Sequence, residues 1–560
     1  MGKGRMGNWA DRGTRTFAAA RRYAAQTARQ AAQQTAERTA PVRASVRRTT
    51  LQVAQRTAER TGPVRVSALR SARRVGRRYA YAPTRWVVGV AAGSGLVLAV
   101  VSIAAAGPWQ GGQRASDAAL AAGHPVAAAH HPGHPPAPRP AGPAWHDAAD
   151  VLAPAGAAGT LPTGAGLGGA LAGALADPAL GKVTASVVDV SDGRTLYSVG
   201  ADQDQEPAST NKIATATAAL SLLGPDHRFT TEVVGDASTG LTLVGGGDPT
   251  LSASTGPDSL TALAAATAAA LHAAAAASPS ASPSSGTHHV SLHYDISLFS
   301  QPALHPIGVN DNIALVQALT SDEGRLDPTS TENAPRYADP AAHAASVFAA
   351  ALAADGVDVD TAPTQATAPA HAPVLAQVQS GPLSGIVERM LTESDNDVAE
   401  ALGHAVALAS GKPATFTDAA ASVTARLSQL GVRLGATHLS DSSGLSSADG
   451  IPAAVLTQLL VLDASPAHPE LRSVLSGLPI AGFTGTLDNR YGGDGSEAGL
   501  GVVRAKTGTL STVNTLAGLV VDRSGRLLAF AFMSNGGGGA DAARAALDRL
   551  AAGVATCGCD

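Results

Sequence analysis

Residues 207–224 read PASTNKIATATAALSLLG and place a serine and a lysine one helical turn apart. The run predicts a helix that begins near Pro207 and ends at Gly224. Ser209 and Lys212 are spaced i, i+3, so both side chains lie on one face of that helix. A serine hydroxyl is a weak nucleophile until a neighbouring base takes its proton, and a lysine with a lowered pKa can be that base. The segment therefore predicts an activated serine at a helix N-terminus, where backbone N–H groups can stabilise an oxyanion.

Two further motifs follow along the chain. The sequence has five lysines, and one of them opens its single K-T-G, at 506–508; an S-D-N lies at 394–396. Taken singly, each has a plain structural explanation: Ser394 could cap a helix, Asn396 could form a turn, and Lys506 could be a surface lysine. Together and in this order, S-x-x-K, S-D-N and K-T-G are the catalytic motifs of penicillin-binding proteins and class A β-lactamases.

The K-T-G motif and the residue after it suit substrate binding. Lys506 can attract a substrate carboxylate, and Thr507 can hydrogen-bond to it. Gly508 lets the backbone approach a ligand closely. The backbone N–H groups of Thr509 and Ser209 can form an oxyanion hole.

The S-D-N motif suits proton transfer and alignment. Ser394 can relay a proton to the leaving amine, and Asn396 can hold both the substrate amide and Lys212. The predicted catalytic residues are therefore Ser209, Lys212, Ser394, Asn396 and Lys506, and the predicted substrate-binding residues are Thr507, Gly508 and Thr509.

The segments on either side of the motifs predict an antiparallel sheet. Residues 182–199 form two β-rich runs around a Ser-Asp-Gly turn, and residues 511–534 form another hairpin around Arg-Ser-Gly. A final amphipathic helix follows at 540–552. Strands, helices, and strands again predict an α+β fold with helices packed on an antiparallel sheet. Residues of about 229–375 read as an inserted domain with a mixed sheet, in which an Ala-rich, helix-like run passes into the flexible segment SPSASPSSG; the Ala/Ser/Pro-rich stretch 262–286 is expected to be a mobile loop. Because all three motifs lie outside this insertion, we expect it to shape the substrate cleft and not to build the catalytic centre.

Over residues of about 180–555 the chain resembles the class C low-molecular-mass penicillin-binding proteins, the serine D-Ala-D-Ala carboxypeptidases and endopeptidases. Besides the three motifs, the resemblance includes DSSGLSSADGI at 441–451 and LPIAGFTGTLDNR at 478–490. The 181 residues between Lys212 and Ser394 also match a family that carries an inserted domain there. The resemblance implies the penicillin-recognising serine transpeptidase and β-lactamase-like fold.

The resemblance further implies acyl transfer on peptidoglycan stem peptides. Ser209 would attack the carbonyl of a D-Ala–X bond, water would hydrolyse the acyl-enzyme, and β-lactams would acylate the same serine. No metal or organic cofactor is expected. Two alternatives remain: a β-lactamase or esterase on the same fold, and a non-catalytic membrane scaffold that binds the cell wall.

The N-terminal region predicts a membrane anchor. Residues 1–85 hold 20 Lys and Arg against 3 Asp and Glu, and the uncharged run Val87–Ala106 follows. Twenty apolar residues span a bilayer core, and the positive-inside rule places the basic tail in the cytoplasm and the rest outside the cell membrane. A cleaved signal peptide and a buried core helix are the alternatives. The Arg-rich tail either binds anionic lipid or nucleic acid, or is a solvated segment that fixes topology.

Composition sets the remaining limits. Aromatic residues make up 3% of the chain, which excludes an aromatic-rich β-adhesin. Cys557 and Cys559 are the only cysteines, so a zinc or iron–sulfur enzyme is not expected; the pair could close a small ring, bond to another chain, or have no role. The predicted organisation is a basic tail at 1–85, an anchor at 86–107, a Pro/His/Ala-rich linker at 108–165 and a D,D-peptidase domain at 166–560.

Overall fold

The computed structural model describes residues 159–277, 288–331, 333–493 and 495–559. Its helices, in chain order, are α1 Gly164–Leu175, α2 Asn211–Leu223, α3 Leu260–Ala277, α4 Pro340–Ala354, α5 Leu383–Glu393, α6 Asn396–Ala409, α7 Phe416–Gln429, α8 Ala453–Ala464, α9 Arg472–Ser476 and α10 Ala540–Thr556. Its strands are β1 Lys182–Asp189, β2 Thr195–Val199, β3 Asp204–Gln205, β4 Thr230–Asp236, β5 Gly240–Val244, β6 His288–Val290, β7 Leu292–Asp295, β8 Val357–Val359, β9 Thr364–Gln365, β10 Val374–Gln379, β11 Ile451–Pro452, β12 Arg504–Thr509, β13 Val513–Val521 and β14 Leu527–Asn535.

A five-stranded sheet pairs strands from both ends of the described chain. Its order is β12-β13-β14-β1-β2, and every neighbouring pair is antiparallel. Side chains alternate along β14 because successive residues of a strand face opposite sides. Ala529, Ala531 and Met533 pack into one core, whereas Phe530 and Phe532 pack into another. Helices therefore cover both faces of this antiparallel sheet, which confirms the predicted α+β class.

Helix α2, which carries the first motif, runs through the first of these cores. Every residue from Asn211 to Leu220 is buried, and the side chains of the polar ones, Asn211, Lys212, Thr215 and Thr217, form hydrogen bonds inside the protein. Its small alanine and threonine side chains allow α6, α7 and α8 to pack closely around it. Gly224 ends the helix with a φ of 86°, a conformation that favours glycine.

A second sheet is built from residues between α2 and α5. Its order is β10-β4-β5-β7-β9, with antiparallel pairs at β4 and parallel pairs at β7. Helices α3 and α4 pack against it in a separate core. The Ala-rich, helix-like run is confirmed as α3, and the expectation of a mobile loop at 262–286 is therefore wrong for 262–277, which belongs to that helix. Its buried residues recur at helical spacing and anchor it: Leu260, Leu263, Ala264, Thr267, Ala268 and Leu271.

The predicted basic tail, the anchor Val87–Ala106 and most of the linker lie outside the described residues. Of the helices that the structure does describe, none combines the length and the hydropathy needed to cross a bilayer. The anchor and the boundaries of these N-terminal segments stay predictions.

The C-terminal cysteines lie against the first sheet's second core. Cys557 and Cys559 are bonded to each other, and Cys557 is buried. The carbonyl of Cys559 accepts a hydrogen bond from the backbone N–H of Thr163 at 2.9 Å. Of the three alternatives for this cysteine pair, the structure shows the small ring, which the bond between Cys557 and Cys559 closes.

Candidate active site

Ser209 lies on a strained turn just before α2. The turn is a single 3₁₀ segment, Ala208–Thr210, and Ala208 has a φ of 46°, which is unfavourable for a residue with a side chain. Two hydroxyls brace it: Thr210 Oγ1 and Thr515 Oγ1 donate to the carbonyl of Pro207 at 2.6 and 2.7 Å. The turn is therefore held by its own threonine and by β13, and it presents a half-buried Ser209 to the cleft.

Lys212 is buried beneath Ser209 and is surrounded by oxygen atoms. Its Nζ lies 3.0 Å from Ser209 Oγ, 2.6 Å from Asn396 Oδ1 and 2.8 Å from the carbonyl oxygen of Ser443. Burial lowers the pKa of Lys212 to about 8, although nearby carboxylates, Asp441 foremost, act in the opposite direction. A substantial fraction of the amine is therefore neutral near pH 8.

The S-D-N motif lies where α5 meets α6. Ser394 ends α5 in the left-handed conformation, with a φ of 61°. Asp395 then caps α6, since its side chain accepts from the N–H of Val398 at 3.0 Å. Asn396 is the first residue of α6, and its Nδ2 donates to the carbonyl of Asn312 at 3.0 Å. This bond orients the amide so that Oδ1 faces Lys212.

Lys506 lies on β12, at the edge of the five-stranded sheet. Its Nζ donates to Ser394 Oγ at 2.8 Å and to the carbonyl of Thr507 at 3.0 Å. Burial and, secondarily, the neighbouring Lys212 hold the pKa of Lys506 well below its usual range. Thr507 Oγ1 in turn donates to Thr486 Oγ1 at 2.8 Å. The second lysine thus aligns Ser394 as Lys212 aligns Ser209.

Gly508 is required by the protein's own packing. A Cβ there would lie 2.1 Å from Thr515 Oγ1, 2.7 Å from the carbonyl oxygen of Pro207 and 3.0 Å from the Cβ of Ala208. From the sequence, this glycine is expected to let the backbone approach a ligand closely. In the structure it lets β12 lie directly against the turn that carries Ser209.

These residues meet at an open cleft of about 720 Å³. Of the eight predicted site residues, five line it: Ser209, Ser394, Asn396, Thr507 and Thr509. Lys212 and Lys506 lie behind them and reach them through hydrogen bonds. The structure therefore brings all three motifs together. The remaining lining residues are Asn312, Thr331, Asn333, Glu393, Leu445, Gly485, Thr486, Asp488, Arg490 and Arg544.

Several residues of the centre have no signal in a short motif. The carbonyls of Ser443 and Asn312 are backbone groups, which any residue type could supply. Thr486 belongs to none of the three motifs and is identified by its place in the cleft and its contact with Thr507. Ser443 lies within DSSGLSSADGI, and Thr486 within LPIAGFTGTLDNR, so the resemblance identified the segments but not these contacts.

The inserted segment also contributes to the centre, contrary to the expectation that it would only shape the substrate cleft. Arg325 Nη2 lies 2.8 Å from Asp395 Oδ2, and Arg336 Nη2 lies 2.8 Å from Asp397 Oδ2. The N–H of Ala314 donates to Asp397 Oδ1 at 2.8 Å. The first turn of α6 is therefore fixed by residues of the insertion.

Among the described residues, one set of three ligand-type side chains could share a cation: His305, Glu400 and Asp441. All three are buried. Backbone N–H groups already occupy both carboxylates, so hydrogen bonding accounts for the arrangement without a metal.

Comparison with known proteins identifies the family. A model of the D-Ala-D-Ala carboxypeptidase 3 (S13) family matches residues 167–335 and 323–555. Carboxypeptidase DacB of Mycolicibacterium smegmatis is 37% identical over 493 residues, which are 85% of this chain and 99% of that protein. A carboxypeptidase of Mycobacterium tuberculosis is 40% identical over 408 residues, 71% of this chain and 85% of that protein.

A solved structure shares the fold. Penicillin binding protein 4 (dacB) of Haemophilus influenzae superposes with a TM-score of 0.56 at 21% identity, over 70% of this chain and 98% of that one. The family resemblance predicted from the motifs is thus confirmed, and the chain belongs to the D-Ala-D-Ala carboxypeptidase 3 (S13) family.

Proposed function

We propose that the chain hydrolyses D-alanyl-D-alanine bonds of peptidoglycan stem peptides through an acyl-enzyme on Ser209. The observation that carries this proposal is the set of three oxygens around Lys212 Nζ. An ammonium uses all three of its protons on them. A neutral amine keeps two N–H bonds, to Asn396 Oδ1 and the carbonyl of Ser443. Its lone pair then points at the Ser209 hydroxyl and can take the proton.

The other contacts support the remaining steps. As the Ser209 oxygen bonds to the substrate carbonyl carbon, the backbone N–H groups of Ser209 and Thr509 stabilise the oxyanion. Ser394 Oγ accepts from Lys506, so its own proton is free to pass to the departing amine as the C–N bond breaks. Water then hydrolyses the ester. A terminal D-Ala leaves in the carboxypeptidase reaction, and a cross-linked amine leaves in the endopeptidase reaction.

Covalent labelling tests the nucleophile. β-Lactams present a strained amide to the same serine, so a fluorescent penicillin is expected to label the wild-type chain, and labelling is expected to vanish in Ser209→Ala. The variant should unfold at the same temperature as the wild type, since Ser209 is half-buried and only its hydroxyl is removed. Labelling of the alanine variant at an unchanged rate would contradict the assignment.

Release of D-Ala from a pentapeptide separates a peptidase from a β-lactamase on the same fold. A peptidase keeps its penicillin label for many minutes and turns over the D-Ala-D-Ala peptide. A β-lactamase loses the label quickly and leaves the peptide intact. Mass spectrometry of cross-linked muropeptides then measures the endopeptidase share.

We infer from the sequence that the catalytic region lies outside the cell membrane, attached through Val87–Ala106 with the Arg-rich tail in the cytoplasm. The charge step at this run supports the inference. Protease added to spheroplasts is expected to digest the region beyond residue 110 and to spare the tail. A protected catalytic region would contradict this topology, and a mature N-terminus near Gly107 would indicate a cleaved signal.

The partner of the Arg-rich tail needs a separate test. Binding of the tail to liposomes with anionic lipid and, in parallel, to nucleic acid measures which of the two it prefers.

A further inference from the structure

A buried loop at 441–443 contacts helix α2 through three successive backbone carbonyls, which accept hydrogen bonds from side chains of the helix. The carbonyl of Asp441 accepts from Asn211 Nδ2 at 3.2 Å, and that of Ser442 accepts from Thr215 Oγ1 at 2.6 Å. The carbonyl of Ser443 accepts from Lys212 Nζ at 2.8 Å. The loop is therefore the source of one of the three oxygens that define the geometry of the lysine.

The N–H groups of the same loop face two buried carboxylates. Glu400 Oε1 accepts from the N–H of Ser443 at 2.9 Å and from that of Ser442 at 3.1 Å. Asp441 Oδ1 accepts from the N–H of Gly444 at 2.6 Å and from that of Ser443 at 3.1 Å. The peptide groups around Ser443 are thus held on both sides, by α2 through their carbonyls and by the carboxylates through their N–H groups.

His305 fixes the orientation of the Asp441 carboxylate. Its Nε2 lies 3.1 Å from Asp441 Oδ2, and its Nδ1 accepts from the N–H of Ile307 at 3.2 Å. Since Nδ1 is an acceptor, the ring proton is on Nε2 and is donated to Asp441. The ring of Phe416 packs edge-on against the imidazole, with centroids 5.2 Å apart.

We propose that Glu400, Asp441 and His305 are positioning residues for the acyl-transfer reaction, which hold the Ser443 carbonyl at Lys212 so that the lone pair of the neutral amine faces Ser209. The inference rests on the proposed function, because it assigns these residues to the activation of that serine. None of the three lines the cleft, so they act through the loop and not on substrate.

Charge adds a second effect to this geometry. The charged groups around Lys212 are Asp395, which caps α6, Asp397 and Glu400 on α6, Asp441 on the loop, and Lys506 on β12. Asp449 lies behind Asp441 and faces it. Loss of a negative charge at Glu400 or Asp441 disfavours the ammonium form of Lys212, so the pKa of Lys212 falls.

The test is the pH dependence of penicillin acylation in the full-length chain. Acylation of the wild type is expected to rise with pH as Lys212 loses its proton. Asp441→Asn places an NH₂ group against the N–H of Ser446 and Nε2 of His305, the two groups that face Oδ2 in the wild type, so the loop shifts, and a misplaced base of this kind lowers rates by about 100-fold. Glu400→Gln keeps one acceptor oxygen, so a fall of roughly tenfold is expected. In both variants the rising limb of the profile should move to lower pH.

Asp463→Asn is the matched control. Asp463 is a buried carboxyl that also contacts α2, through Thr217 Oγ1 at 2.9 Å, but it is not among the charges that act on Lys212. It should leave both the plateau rate and the position of the rising limb unchanged. Thermal unfolding of each variant confirms that the folded protein is being measured.

The outcomes separate the two proposals. If the wild type acylates and the folded Glu400→Gln variant keeps both the rate and the profile of the wild type, the positioning role is wrong. The same holds if the variants lose only thermal stability. If Asp441→Asn does not fold, Glu400→Gln alone decides. A wild type that neither acylates nor releases D-Ala would overturn the proposed function itself.

Discussion

At the scale of single residues, Lys212 and Lys506 carry the same amine in different surroundings. Lys212 faces three oxygens and lies near four carboxylates. Lys506 bonds to Ser394 Oγ and to a backbone carbonyl, and its charged neighbour is Lys212. Both pKa values are lowered by burial, but only the first lysine contacts the nucleophile. A base is therefore required at 212, whereas position 506 requires a donor that can also become a cation.

Arginine at each position tests this division. An arginine side chain stays protonated and cannot act as a base. Acylation by Lys212→Arg is therefore expected to be about 10²–10⁴-fold slower, which is the usual contribution of a general base. Lys506→Arg keeps a donor and a positive charge and should retain part of the activity. Acylation rates of both variants with one penicillin provide the measurement. Equal rates for the two would contradict the separate roles.

Proton uptake on ligand binding tests the state of Lys506. Burial lowers the pKa of Lys506 well below its usual range, and within the described residues its amine makes no ion pair. A substrate carboxylate placed beside it would favour the ammonium and raise this pKa, so binding of a D-Ala-D-Ala peptide should take up a proton wherever the pH lies between the pKa values of the free and the bound enzyme. Calorimetry of the Ser209→Ala variant in buffers of different ionisation enthalpy measures this uptake. Uptake that persists in Lys506→Met would assign the proton elsewhere.

The sequence could predict the residues whose type carries the chemistry, and it could not predict those that act through their backbone. Ser209, Lys212, Ser394, Asn396 and Lys506 converge as their motifs indicated. The carbonyl of Ser443 is invisible to any residue pattern, because every residue has one. Gly508 packs against the protein and not against a ligand for a related reason: the atoms next to it include those of the turn that carries Ser209, which is distant in sequence.

At the scale of elements, the junction of α5 and α6 depends on the insertion. Arg325 pairs with Asp395, the cap of α6, and also with Glu323, which Arg389 contacts from α5. Arg336 pairs with Asp397, whose pKa is raised to about 7 by burial and then by Asp395. Two arginines thus neutralise a buried acidic turn that carries Asn396 between its two aspartates.

Arg325→Met tests this junction. Removal of the guanidinium leaves Asp395 and Glu323 buried without their shared cation. Breaking a buried ion pair in this way lowers the free energy of unfolding by about 3–5 kcal/mol. We expect a lower unfolding temperature and, in the protein that remains folded, slower acylation because Asn396 shifts. A matched control is Arg549→Met, since Arg549 and its partner Asp177 are both partly exposed, lie outside the cleft lining and should affect stability little. Comparable losses in both would contradict a specific role for Arg325.

At the scale of the whole molecule, local patterns predicted the strands but not their full arrangement. Hairpins at 182–199 and 511–534 have clear alternation and turns, and their union into one antiparallel sheet follows from the fold class. The parallel pairing of β5, β7 and β9 joins strands whose order depends on packing over α3 and α4, which no local pattern encodes. The alanine-rich sequence of α3 indicated a helical run, but with few large apolar residues it did not show where the helix ends, so the expected mobile loop began too early.

Buried carboxyl groups make the stability of the whole molecule depend on pH. Asp463 is fully buried; Thr217 donates to its Oδ1, and within the described part of the chain its Oδ2 has no hydrogen-bond partner. Burial therefore raises the pKa of Asp463 well above its usual range. In the unfolded chain the same group titrates near 3.8.

The sign of the effect follows from proton counting. Above pH 4 the unfolded chain releases a proton that folded Asp463 keeps, so the free energy of unfolding falls as pH rises, by up to about 1.4 kcal/mol per unit, until the folded pKa is reached. Asp463→Asn cannot titrate but can still accept from Thr217. We expect the variant to gain stability relative to the wild type between pH 5 and pH 8, measured by urea unfolding at both values. Asp236→Asn is the control. The exposed Asp236 carboxyl has a pKa lowered to about 2, so the free energy of unfolding of this variant should change with pH as that of the wild type does over this range. A parallel curve for Asp463→Asn would mean that the buried acid is already ionised in the folded protein.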